Sequence, residues 1–131
     1  MPLDRSVGVG GGNVSVSGTA SLRRTVVLAA DAPVFTDQLL ILGIPDVIFW
    51  VQQTAGAIGA TVIPEWSARA VTGVGVPVDE WLPMSAALVV PPGAGNPLYA
   101  RYWFPCRRVR LQMIRPANQA TTLEVYIASG I

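Results

Sequence analysis

Proline and glycine punctuate this chain from end to end, 11 of one and 13 of the other, and their spacing limits the length of every element it can form. A long helix tolerates neither in its interior. Proline lacks the N–H and clashes with the preceding turn, and ordering glycine costs extra backbone entropy. Between the breaks the chain is β-prone. The stretch Asp46 to Gln53 is dense in branched and aromatic residues, and Ser21 to Ala29 is rich in valine and threonine. Val34 to Leu42, Ala60 to Ile63, Glu65 to Val71, Ala86 to Val90 and Leu98 to Phe104 read the same way, each bounded by Gly or Pro.

The last two runs carry the clearest pattern. Val109, Leu111 and Met113 alternate with Arg108, Arg110 and Gln112, and Leu123, Val125 and Ile127 alternate with Thr122, Glu124 and Tyr126. Period 2 means one buried and one wet face. Residues 116–120 between them read as a hairpin loop, which would set Glu124 near Arg108, Arg110 or Arg115. Eight or nine short strands with regular turn signals imply an all-β antiparallel sandwich or barrel. One helical turn is expected around Asp31 to Asp37. Residues 1–12 hold four glycines and read as a flexible N-terminal arm, with 13–131 as the β domain.

Composition narrows the functions. Only 13% of residues are charged, against about 25% in a typical globular domain, while 51% are apolar. Such a chain is not disordered, and part of its surface is expected to be covered by another molecule. The net charge is +1, so no global basic field draws nucleic acid, and no apolar run approaches the ~20 residues of a membrane helix. Residues 1–12 lack the apolar core of a signal peptide, which implies use without secretion.

No histidine is present, which removes Ser-His and Cys-His catalysis. The single cysteine, Cys106, forms no intramolecular disulfide and no zinc site of ordinary type, and reads as a small apolar residue at a strand edge. Asp79-Glu80 and Asp31 with Asp37 read as turn residues rather than a catalytic pair. The glycine run at 8–12 has neither a preceding strand nor a following Gly-Lys-Ser/Thr, so it is no phosphate loop. No enzymatic activity and no cofactor are expected.

The aromatic residues and arginines remain. Trp50 lies in an apolar run and reads as core. Trp66 and Trp81 each follow an acid and neighbour a proline, at loop or strand edges where an amphipathic ring suits a protein neighbour or a sugar. Tyr99, Arg101 and Trp103 share one face of their strand, with Leu98, Ala100, Tyr102 and Phe104 on the other, a strand expected to be covered on both sides. With Arg108 and Arg110, the residues Trp66, Trp81, Tyr99, Arg101 and Trp103 form the candidate interface.

The closing segment, Arg107 to Pro116, a small-residue turn, and Thr121 to Gly130, follows a glycine-rich arm and a charge-poor series of short strands. Together these features resemble the small β-sandwich or jelly-roll structural proteins of tailed-bacteriophage virions, among them capsid decoration (cement) and head accessory proteins. The resemblance implies a jelly-roll-like sandwich of about eight strands. It also implies a place on the capsid exterior after synthesis in the host cytoplasm. Its partners would be the major capsid protein and other virion subunits, with self-association as a homo-oligomer, a trimer favoured, and with neither nucleic acid nor membrane. A carbohydrate- or ligand-binding β-sandwich, as on a phage fibre or tail, is the alternative.

Overall fold

Two antiparallel sheets pack face to face in the computed structural model, which describes residues 13–14, 20–41, 46–67, 81–103 and 107–129. The glycine-rich arm at 1–12, Asp79-Glu80 and Cys106 lie outside the described residues. In chain order the strands are β1 (Asn13–Val14), β2 (Ala20–Leu28), β3 (Val34–Phe35), β4 (Leu39–Leu40), β5 (Asp46–Ala55) and β6 (Thr61–Ser67). β7 (Leu82–Pro83), β8 (Leu88–Val89), β9 (Leu98–Trp103), β10 (Arg108–Ile114) and β11 (Thr121–Ser129) follow. Sheet 1 runs β1-β2-β11-β5-β9. In sheet 2, β10 and β6 form the centre, β3 and β4 both pair β10, and β7 and β8 both pair β6.

Taken as interrupted strands, β3/β4 and β7/β8 reduce the fold to eight, with β1 a short addition to the edge of β2. In that count the sheets run 1-8-3-6 and 2-7-4-5, the strand order of a jelly roll. The expected all-β sandwich of about eight strands is therefore what the chain forms.

Both interruptions have local causes. A residue's N–H and C=O leave a strand on the same side. The Pro64 carbonyl accepts the Met84 N–H at 2.8 Å, so the N–H that proline lacks falls on the β7/β8 side, between the two short pairings, and leaves the β10 ladder intact. Between β3 and β4 a side chain replaces a backbone acceptor. The Thr36 N–H donates to the Leu111 carbonyl at 3.0 Å, while the Leu111 N–H donates to Thr36 Oγ1 at 2.9 Å. Thr36 thus holds the edge to β10 through the break. The helical turn expected at Asp31 to Asp37 is absent. Val34 and Phe35 pair with Met113 and Gln112 instead, a tertiary pairing that overrides a weak local preference.

The hairpin reading of β10 and β11 is overturned. β11 pairs β2 and β5 in sheet 1, β10 pairs β3, β4 and β6 in sheet 2, and residues 116–120 cross between the sheets. Period 2 tells which residues point inward, not which strand lies alongside. Val109, Leu111 and Met113 from one sheet meet Leu123, Val125 and Ile127 from the other in one buried core, with Val47, Phe49 and Val51 beside them. Glu124 lies opposite Thr25 and Gln52, far from the arginines expected to attract it. Arg110 pairs with Glu65 and Arg115 with Asp31.

One end of the sandwich is tied by two glutamines. Gln53 is fully buried, yet its amide donates to the Gly56 and Ile58 carbonyls at 3.1 and 2.7 Å and its carbonyl accepts the Ala60 N–H at 2.9 Å. Gln119 Oε1 accepts the Ala57 and Ile58 N–H groups, both at 2.8 Å. Gly59 passes so close to Val90 that a Cβ would lie 2.2 Å from its carbonyl oxygen, which explains glycine there. Gln53→Ala removes three hydrogen bonds and leaves the buried Ala60 N–H unsatisfied. Urea denaturation is expected to show a loss of about 2–3 kcal/mol with an unchanged m-value.

Candidate protein interface

Cross-strand register builds the outer face of sheet 1. Arg23 on β2 lies opposite Tyr126 on β11, Tyr126 opposite Trp50 on β5, and Trp50 opposite Tyr99 on β9. These four side chains form one row across the sheet. The next row is Ser21, Ala128, Ile48 and Arg101, and beyond it Asp46 lies opposite Trp103. On the other side of the aromatic row come Thr25, Glu124 and Gln52. The Arg23 guanidinium sits 5.2 Å from the centre of the Tyr126 ring. Trp50, expected in the core, is half-buried on this outer face. Val47, Phe49 and Val51 take the inward positions, and the period-2 alternation of β5 turns Trp50 outward.

Along β9, at the edge of the sheet, the burial alternates strictly. Leu98, Ala100 and Tyr102 pack on the core, while Tyr99 and Trp103 are 58% and 71% exposed. In the isolated chain this strand is therefore covered on one face only. Arg101, between the two rings, is clamped: its Nε donates to Asp46 Oδ1 at 2.9 Å and its Nη2 to Oδ2 at 2.6 Å. The Asp46 side chain is fully covered while that of Arg101 is more than half exposed. The hydrogen bonds and charge of Arg101 hold the Asp46 carboxyl below the usual carboxylate range, and Asp46 raises Arg101 in turn. The pair stays ionised, and the planar guanidinium stays fixed, at pH values where a free aspartate protonates. Tyr99, Arg101 and Trp103 thus form a ridge of three flat groups, each about 6.6 Å from the next along the strand.

Sheet 2 uses its outer arginines differently. The Arg110 guanidinium is sandwiched between Phe35 at 4.1 Å and Trp81 at 4.3 Å, and its Nε donates to Glu65 Oε1 at 2.7 Å. Glu65 Oε2 accepts from Gln112 Nε2 at 2.9 Å. The Arg108 guanidinium lies 5.3 Å from the centre of the Trp81 ring and donates to Gln38 Oε1 and Ser67 Oγ. These groups satisfy one another and roof the sheet.

The sequence-predicted residues therefore divide into three places. Tyr99, Arg101 and Trp103 stand on the outer face of sheet 1. Trp81, Arg108 and Arg110 stand together on the outer face of sheet 2, on the opposite side of the molecule. Trp66 belongs to neither. It lies opposite the fully buried Val109 and packs against the core. No protein-family model matches the chain, and no curated protein matches it. Function must be read from these faces alone.

Sequence reasoning missed Arg23, Trp50 and Tyr126 on the first face and Phe35 on the second. For Tyr126 a signal existed, since it occupies a wet-face position of the alternating β11. Among the described residues, four arginines pair with this chain's own acids: Arg24 with Asp37, Arg101 with Asp46, Arg110 with Glu65 and Arg115 with Asp31. Among the described residues no three acids, cysteines or histidines gather where they could hold a metal. What the arrangement offers chemically is a part-aromatic sheet surface with one guanidinium held in place by a carboxylate.

Proposed function

We propose that this chain is a structural virion protein, a capsid decoration (cement) protein that binds over major capsid subunits and reinforces the shell. The observation that carries this reading is the β9 ridge. Trp, Tyr and Arg are the residues in which binding hot spots are enriched, and here all three stand on one exposed line with the arginine fixed in advance by a buried carboxylate. The jelly roll and the low charge fraction support the same reading, because such a surface is suited to be covered. The glycan-binding alternative has less support. Of the two tryptophans it leaned on, Trp66 packs on the core and Trp81 is stacked against two arginines.

The test is co-sedimentation with shells from the infected host's lysate. The wild-type chain is expected to travel with particles of shell size, and Trp103→Ala to lose about tenfold to a hundredfold in affinity with an unchanged melting temperature. A chain that never travels with such particles rules the proposal out.

A further inference from the structure

The partner of the sheet 1 outer face follows from how its rows map onto themselves. We infer that this face seats a second copy of the chain, sheet against sheet, across a two-fold axis parallel to the strands and midway between β11 and β5. The inference rests on the reading of this face as a protein interface and names its first occupant.

A two-fold in that direction keeps each row at its own height and reverses its order. Arg23 then lies over Tyr99 of the second copy, Tyr126 over its Trp50, Ala128 over its Ile48, and Glu124 over its Gln52. Each contact occurs twice. Of the three contacts made by the strands that flank the axis, two are apolar, ring on ring and methyl on isoleucine, and the third sets a carboxylate against amide hydrogens. Farther out, a guanidinium lies over an aromatic ring and Ser21 lies over Arg101 of the second copy. Among the described residues, Arg23 and Glu124 are the charges of this face without an ion-pair partner, and this axis sets neither against its like. An axis along the aromatic row would instead lay Arg23 on Arg23. The roughly 30° offset between packed sheets leaves the contacts near the axis in place.

The area suffices. Four strands about 4.8 Å apart and seven residues at about 3.3 Å rise give roughly 450 Å² of projected face per copy. Side-chain relief brings two copies to the ~1,000 Å² that a specific interface clears. The dimer takes Tyr99 and Arg101 of the β9 ridge for itself, and Trp103, at the corner beyond the last four-strand row, stays at its rim as the ridge residue left to a shell subunit.

The decisive experiment exploits a distance. Arg23 and Tyr99 are exposed and three strands apart within one chain, about 14 Å, too far for direct contact. Sedimentation velocity of the full chain across a concentration series is expected to give twice 13.8 kDa. Arg23→Glu and Tyr99→Arg are each expected to raise the dissociation constant about tenfold or more with unchanged melting. The double variant should return to within about threefold of wild type, because Glu and Arg now face each other across the axis. A monomeric or trimeric mass, or a double variant as weak as the two single effects combined, overturns the inference. Shell binding is scored separately. A monomer that binds shells defeats the second copy alone, and a dimer that binds none defeats the virion reading alone.

Discussion

Val109→Asp is expected to abolish cooperative folding at 25 °C, leaving circular dichroism without a sigmoidal denaturation transition. Val109 is fully buried, with Leu39 on one side of it in sheet 2 and Trp66 on the other, and its side chain enters the shared core. The fully buried side chains of that core are Leu, Ile, Val, Met, Phe and Ala, none of which can donate a hydrogen bond to a carboxylate. Burying it unpaired costs upwards of about 5 kcal/mol, even after its proton affinity rises to spare the charge. A domain of this kind is stable by about 5–15 kcal/mol, so one such change consumes most of the margin. Val27→Asp provides the control. It makes the same chemical change on β2, but Val27 is 62% exposed on the outer face and its carboxylate would stay in water, so a change within about 1 kcal/mol is expected. A wild-type-like melt of Val109→Asp would mean that β10 does not present Val109 inward.

The inward positions of β10 and β11 were legible because alternation is a local property, carried by six residues in each strand. Partner choice is not local. Glu124 and the arginines at 108, 110 and 115 invited a pairing on charge alone, but the acids that take Arg110 and Arg115 are Glu65 and Asp31, 45 and 84 residues away in the chain. The β10–β11 connection is short enough for a hairpin and equally able to cross between sheets. The core decides, since each strand has one apolar face and each needs another sheet to bury it.

The aromatic residues show the same division. Tyr99 and Trp103 were readable as one face of β9, and the structure keeps them together. Trp66 misled because a residue after a buried acid looks like a surface position. Glu65 is in fact on the outer face, hidden under Arg110 and Gln112, and Trp66 turns to the core. Nothing in the local sequence shows that an acid will be roofed by two side chains of a strand more than forty residues away in the chain. For the same reason, Arg108 and Arg110 looked like free interface cations. Only the three-dimensional cluster reveals that Phe35 and Trp81 already occupy the faces of Arg110.

That cluster yields the second large effect. Glu65→Ala is expected to destabilise the domain by about 3–4 kcal/mol, measured in urea so that denaturant ions do not screen the pair. Glu65 lies opposite Arg110 in the β6–β10 ladder, and its two oxygens serve different donors, Arg110 Nε and Gln112 Nε2. Truncation strands both. It leaves a cation whose side chain is only 19% exposed, still held between two rings and with no counter-charge. Glu65→Gln keeps an acceptor and the shape while losing the charge, so about 1–2 kcal/mol is expected. Replacing both partners, Glu65→Leu with Arg110→Leu, should cost less than Glu65→Ala alone, because no orphaned charge remains and the sheet face stays covered. If the double replacement proves the most damaging of the three, the ion pair and its aromatic sandwich stabilise the fold beyond what apolar packing in their place supplies. The outer face of sheet 2 would then be held by electrostatics rather than merely roofed.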